Sequence, residues 1–532
     1  MTEAKKEKSI FTKGLIFVLK DFSWWTSTHG IPHIGLANAR WLRIFWIIVV
    51  LACLGAFIWQ FTILITKYLS YNVNTETALQ FSDRVFPTVT LCHLNPWKRD
   101  ETMKVDKKME NLVNAYEDWS TASAKYGFSS RLDGARQQRA TKFTALMSDR
   151  LYAARNVPGA KHAYTYKDLV ISCTYNAESC TETDFREFYD PTYGICQMFN
   201  IKGNYSSSRA GPLYGLRMVI RTDQAKYLPW TETAGMVMSI HGKDEVPFPD
   251  VFGYFAAPGT ATSMGVRFVQ TSRLPHPYGT CTKEELLAGK HYNGTYQVES
   301  CFRNCLQEKI VADCGCYDPA YPFINDGTIA SCDDVGDSLL NLDCIDRISN
   351  ADSGAFNIIK DCNCPQPCEI ESYAVTVSTA KWPAKAFNPA ECNSNAPNDP
   401  WNLIGISCIE WYKKNTLLVE IYYERMNYQV LTESPAYSLV NLISDVGGQV
   451  GLFLGMSIIS LIEFATLFLL LFCYCATHKS RKRDIEEIER ETKNAKEDAD
   501  RIAERNRKAA NKRKGIYGGD DDALPPPVMS SN

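Results

Sequence analysis

The sequence has no bias of charge: 57 lysines and arginines stand against 60 aspartates and glutamates, a formal net charge of -3. Bulk electrostatics therefore singles out no nucleic acid or other highly charged partner. There is no phosphate-binding glycine loop, no zinc-type spacing of cysteine and histidine, and no Ser/His/Asp arrangement in a recognisable context. No catalytic constellation thus argues for an enzyme. No internal repeat is visible, which removes solenoids and propellers. No cleavable signal peptide is visible either: the first apolar run starts late and is too long for one. The last long apolar run, Val446 to Ala476, is nearly free of charge, and its one ionised group, Glu463, lies deep inside it.

That run is long enough to cross a bilayer as a helix. A lone carboxylate in lipid is costly, so Glu463 is expected to face a water-filled path or a partner. Gly447, Gly451 and Gly455 recur every four positions on one helical face, where backbones can approach closely. Gln449, Met456, Ser460 and Glu463 form another stripe at roughly helical spacing. A glycine-lined helix with a polar stripe suits a pore better than a plain anchor. A second run, Ile44 to Thr66, has no charge and can also span. Basic residues precede it (Arg40, Arg43) and follow the later run (Lys479, Arg481, Lys482, Arg483), which puts both termini in the cytosol of a plasma-membrane protein.

Everything between the spans is then outside the cell, and the cysteines agree. Of 19, sixteen lie between Cys92 and Cys408, an even set that implies disulfides in an oxidising compartment. Sequons at Asn204 and Asn293 fall in the same region. The segment Arg84 to Cys92 alternates like a strand. Residues 100 to 155 read as helical and residues 213 to 275 as strands. Cys301 and Cys305 are one helical turn apart, whereas Cys362 and Cys364 have strand spacing, so a helix lying against that strand could close two stacked bridges. Residues 417 to 431 read as one strand returning to the membrane. After Lys479 the chain is highly charged, with many opposite charges four apart, and predicts a solvated helix. Gly518 to Asn532 reads as disorder, including the short polyproline run Leu524 to Val528.

These residues resemble the degenerin, epithelial sodium channel and acid-sensing channel family. Thr28-His29-Gly30 is similar to its cytosolic His-Gly pair. Phe86-Pro-Thr-Val-Thr-Leu-Cys-His-Leu-Asn95 resembles its first ectodomain strand. Pro277-Tyr-Gly-Thr-Cys281 resembles the start of its cysteine-rich thumb. Asp445 to Ser457 resembles its pre-filter and filter segment. The resemblance implies an α+β membrane protein, a trimer of two-span subunits with a disulfide-rich, hand-shaped ectodomain of palm, β-ball, finger, thumb and knuckle. The corresponding segments are a cytosolic N-terminus at 1–43, a first span at 44–67, the ectodomain at 68–443, a second span at 444–477 and a cytosolic tail at 478–532. It further implies a sodium-selective pore blocked by amiloride, with no cofactor besides the permeant ion. Gly455, Met456 and Ser457 map onto the selectivity filter. Asp445, Gly451, Ser460 and Glu463 line the pore, and Ser444 takes the position where bulky groups hold such channels open. His29, Gly30, the wrist pair Tyr71 and Tyr278, and the palm linker Met426-Asn427 carry gating roles. The implied disulfides are Cys92 with Cys196, Cys173 with Cys180, Cys281 with Cys368, Cys301 with Cys364, Cys305 with Cys362, Cys314 with Cys344, and Cys316 with Cys332. Cys392 and Cys408 remain and pair with each other.

The stimulus is less directly written. Acid-sensing members carry a histidine after the wrist tyrosine. Here that position is Asn72, which cannot titrate near neutral pH. The finger stretch Trp230 to Gly235 has only Glu232, and the thumb side, Asp352 to Lys360, is poorly acidic. The region is more similar to the neuropeptide-gated invertebrate members, such as FMRFamide-gated channels. The ligand is therefore expected to be a short amidated peptide, with residues 100 to 195 as the first place to seek its pocket. Protons, bile acids, stretch or constitutive opening are the alternatives within the family. A two-span ectoenzyme, an ATP-gated trimer and a subunit silent outside hetero-trimers are the rivals beyond a homotrimer.

Overall fold

The computed structural model describes residues 2–118, 125–128, 134–283, 291–324, 327–350, 354, 356–393, 396 and 399–514. The run Leu524 to Val528 lies outside the described residues, as does part of Asp352 to Lys360. The chain divides into two units, one made of Met1–Ser70 with Tyr437–Asn532, the other of Tyr71–Ala436.

In the first unit, the helix Arg40–Leu69 is long and apolar enough to cross a membrane. The late apolar run is not one straight helix. Helix Leu439–Leu454 and the first part of helix Ile458–Lys514 meet the same standard only as a pair, bent by 74° at a short break. The cause is local. Gly455 sits at φ +59° as the residue that ends the first helix. Its N–H donates to the Gly451 carbonyl at 3.0 Å, the bond of an αL cap, and the Met456 N–H reaches the Val450 carbonyl at 3.4 Å. Ser457 then starts the next helix: the Ser460 N–H donates to Ser457 Oγ and the Ser457 N–H to Ser460 Oγ, a reciprocal N-cap. The stripe expected through Gln449, Met456, Ser460 and Glu463 is therefore broken at Met456. The charged tail continues the second helix as far as Lys514.

Among the described residues the second unit is built on three sheets. Its strands are β1 (Val73–Phe81), β2 (Arg84–Val85), β3 (Thr88–His93), β4 (Val170–Tyr175), β5 (Glu178–Ser179), β6 (Phe185–Asp190), β7 (Gly194–Phe199), β8 (Ser206–Ser207), β9 (Leu216–Arg221), β10 (Met236–His241), β11 (Gly253–Ala256), β12 (Thr260–Ser272), β13 (Glu369–Lys381), β14 (Thr416–Tyr423) and β15 (Asn427–Pro435). The large sheet runs β1-β15-β12-β14-β9-β4-β5 with β13 on β12. A second runs β11-β10-β3-β7-β6, and β2 pairs β8. Two expected strands are interrupted. Arg84 to Cys92 splits into β2 and β3 at Pro87, which has no N–H to give a ladder. β3 is buried along its whole length, so it does not alternate inside and out. Residues 417 to 431 form β14 and β15 in succession. β13 occupies one edge of β12, so both lie parallel along the other, and the Glu424 N–H donates to the Val266 carbonyl between them.

Two large clusters dominate this unit. One packs Val89, Leu91, Met218, Met236, Met264 and Val419 between the sheets. The other joins helices Lys107–Glu117, Gly134–Leu146, Val298–Cys314 and Ser338–Ser349 through Leu112, Phe143, Ile310 and Leu342. Each such buried side chain contributes about 1.5–3 kcal/mol. Eight disulfides close, at Cα separations of 4.4–6.1 Å: Cys92–Cys196, Cys173–Cys180, Cys281–Cys368, Cys301–Cys364, Cys305–Cys362, Cys314–Cys344, Cys316–Cys332 and Cys392–Cys408. The stacked bridges do leave helix Val298–Cys314, but their partners are not on a strand. Cys362 ends the one-turn helix Ile358–Asp361, which Asn357 caps, and Pro365 and Pro367 follow.

Candidate functional site

The break at Gly455 to Ser457 is packed against the chain's own N-terminal segment. Helix Thr2–Trp25 ends, the chain turns through Thr26 to Gly30, and the short helix Ile31–Leu36 follows. Gly30 makes that turn at φ +87°, a conformation natural to glycine, and a Cβ there would stand 2.5 Å from Val50 Cγ2. His29 thereby reaches the break: its N–H donates to the Leu454 carbonyl at 3.2 Å. Its ring lies so close that a Cβ on Gly455 would meet it. His33 stacks on Trp46 at 4.4 Å, holding the short helix on Arg40–Leu69.

Glu463 is also claimed by this segment. Its Oε2 accepts from Thr26 Oγ1 at 3.0 Å, from the Ser27 N–H at 2.8 Å and from Ser27 Oγ at 3.1 Å. Ser27 Oγ and Ser460 Oγ share a further bond at 2.7 Å. Glu463 was expected to face a path or a partner; its partner is the N-terminal turn. Thr26 and Ser27 were not picked out from sequence. The only hint was a Ser/Thr run before His29, and no local signal points 436 residues onward.

The carbonyls nearest the break divide into two groups. Those of Val450, Gly451, Leu454 and Ser457 each accept a backbone N–H. Among the described residues, those of Leu452 and Phe453 at the end of the first helix and of Gly455 and Met456 in the break accept none. Ser444, Gly447, Gly448 and Gly451 are open on the surface of helix Leu439–Leu454, with nothing within 4 Å of a Cβ built on either Gly447 or Gly448. Asp445 is held by the Tyr437 hydroxyl, which donates at 2.7 Å, and Lys67 stands 4.4 Å over the Tyr437 ring.

In the second unit, Tyr71 and Tyr278 meet edge to face at 5.4 Å. Asn72 gives its backbone oxygen to the Ala436 N–H at 2.9 Å. Met426 packs on the inter-sheet core, and Asn427 opens β15 opposite Phe81. His93, in the expected first strand, is fully buried; as a neutral ring it donates Nε2–H to the Thr222 carbonyl at 2.8 Å and accepts the Asn95 N–H on Nδ1 at 3.1 Å. Burial holds its pKa down at about 4, so it stays neutral. Asn204 and Asn293 are both exposed, as a glycan acceptor must be. Among the described residues no cluster of His, Cys, Asp and Glu could hold a metal.

The profile of the family described as amiloride-sensitive sodium channel matches residues 22–467. Degenerin-like protein asic-2 of Caenorhabditis elegans is 31% identical over 503 residues, covering 90% of this chain and 91% of that protein. Degenerin del-1 of the same nematode is 40% identical over 306 residues, 57% of this chain and 44% of its own length. Degenerin mec-4 of Caenorhabditis briggsae is 40% identical over 311 residues, 57% of this chain and 39% of its own length.

Proposed function

This chain belongs to the amiloride-sensitive sodium channel family and is not an enzyme, and from that premise we propose a sodium-selective, amiloride-blocked channel opened by an extracellular ligand, a short amidated peptide. Three copies, each crossing the plasma membrane twice with both termini in the cytosol, surround one conduit. Gly455 to Ser457 form its narrowest ring. The observation that carries this reading is the pair of carbonyls, Gly455 and Met456, left without a hydrogen bond inside an apolar span. Unsatisfied backbone groups cost several kcal/mol in hydrocarbon, and a broken helix is tolerated at membrane depth where it lines water. Such carbonyls can replace part of a small cation's hydration shell.

His29, through its bond to Leu454, and Thr26 and Ser27, through Glu463, tie the cytosolic segment to both sides of this break. Movement of that segment is therefore felt at the ring. Ser444 and the exposed glycines face the neighbouring copies or the conduit. Asn72 supports a ligand other than the proton, since it offers no group that titrates near neutral pH.

The test is voltage-clamp recording of the chain expressed alone, with amidated peptides, acid, bile acids and stretch applied in turn. A peptide should evoke an amiloride-blocked current that reverses near the sodium potential. Ser457→Val should shift that reversal toward potassium. A variant that conducts with unchanged sodium preference sinks the filter assignment.

A further inference from the structure

A cavity of about 560 Å³ opens in the unit Tyr71–Ala436, within the usual range of small-ligand sites. One wall is the β6–β7 hairpin, another is the stretch Lys243 to Phe248 that follows β10, and a third is Arg303 on helix Val298–Cys314. Two carboxylates stand in these walls. Asp190 is 5% exposed, and its Oδ1 accepts from the Thr192 and Tyr193 N–H groups at 2.9 and 3.0 Å. Glu245 is partly buried, and its Oε2 accepts from the Gly242 N–H at 2.8 Å. Among the described residues neither has an ion-pair partner.

Arg303 does not neutralise them. Its guanidinium is taken by Asp250 at 2.6 Å and Glu299 at 2.7 Å, and it lies 4.7 Å over the Phe248 ring. The other cations, Arg186 and Lys243, are exposed at the rim, where Glu187 and Asp244 are exposed beside them in sequence. The interior therefore keeps two uncompensated negative groups among apolar walls that include Met198, Ile201 and Phe248. Burial raises both carboxylates, Asp190 to about 6. Asp190 is therefore mostly ionised at neutral pH, and a cation placed beside the two carboxylates would replace lost solvation.

We propose that this cavity binds an amphipathic organic cation, a protonated amine or guanidinium carried on an apolar body, such as the basic end of a short peptide. This rests on the ligand-gated reading above and gives its ligand a site and a chemistry. The site lies partly beyond residues 100 to 195, since it also draws on the segments around Glu245 and Arg303.

Binding is measured by equilibrium dialysis on the purified, deglycosylated full chain. The probes are 2-phenylethylammonium and its neutral counterpart 2-phenylethanol. The ammonium probe should bind saturably and about tenfold tighter than the alcohol, as expected for a hydrogen bond to a charged group. Asp190→Asn keeps an oxygen for Thr192 and Tyr193 yet should cost about tenfold in ammonium binding. Ile201→Trp adds bulk at the wall and should abolish binding while the thermal midpoint holds. Equal binding of the two probes, or an Asp190→Asn chain that binds as before, overturns the proposal. Peptide-evoked current that survives loss of the probe site refutes the site alone. Probe binding without any peptide-evoked current supports the site and refutes peptide gating.

Discussion

Replacing Gly30 with alanine separates two costs that the turn into the break avoids. The first is conformational. Gly30 holds φ +87°, and a side chain in that region costs about 1–2 kcal/mol. The second is steric, because the new Cβ would lie 2.5 Å from Val50 Cγ2 on the neighbouring helix. Overpacking of that kind costs about 1–3 kcal/mol. Together these disfavour the docked turn by about 2–5 kcal/mol, a factor of roughly 30 or more in its population. His29 would then lose its bond to Leu454. Val50→Ala removes the obstructing methyl group. The double variant Gly30→Ala/Val50→Ala should keep only the backbone cost, roughly a 5–30-fold shift. The assay is current per surface channel, from voltage clamp and surface biotinylation on the same cells. Gly30→Ala should show a large loss at normal surface density, Val50→Ala little change, and the double variant a partial recovery. If the double variant conducts no better than Gly30→Ala, Val50 is not the obstacle and the packing of this turn has been misread.

Ser27→Ala and Glu463→Gln should each weaken the tie between the N-terminal turn and helix Ile458–Lys514. Their effects on current should be strongly non-additive in a double-mutant cycle, and independent effects would refute the contact. Asp190 and Asp318 are raised by burial to about 6 from an ordinary value of 3.8, so the folded state holds their protons longer than the unfolded state. Their contribution is fully present below about pH 4 and is lost as pH rises through 6, whereas His93 and His241, held near 4, lose stability as pH falls from 6.5. Asp190→Asn should therefore steepen the fall in thermal midpoint between pH 6 and pH 4; an unchanged slope would count against the burial of this carboxyl. Removing Cys392–Cys408, which closes a loop of 16 residues, should cost about 3 kcal/mol. A denaturant midpoint that does not move would show that the loop is held by Trp401, Trp411 and Tyr412 alone.

Much of the break itself was written locally. Gly455 ending one helix and Ser457 starting the next follow ordinary capping rules, yet the apolar run around them reads as one period-3.6 helix. Hydropathy sees length and composition and is blind to a φ of +59°. β14 and β15 show the same limit. Apolar residues run through both, and the interruption at Glu424 to Met426 is set by β12, the strand that both lie against. The disulfide pairs came from resemblance, because spacing proposed only the bridges from Cys301 and Cys305 and misassigned the strand opposite them.

The amino-acid order alone marked where the chain is apolar enough to enter lipid, which stretch between those runs carries the cysteines, and which glycine and serine residues could cap a helix. Each of these depends on residues within a few positions of one another. Tertiary structure alone decided that Thr26, Ser27 and His29 pack against the helix break, that Glu463 answers to Thr26 and Ser27, and that Asp190 and Glu245 share a cavity whose Arg303 is already paired with Asp250 and Glu299. Contacts across hundreds of residues leave no period in the sequence. They exist because packed helices and sheets bring together surfaces whose polar groups must find partners once water is gone.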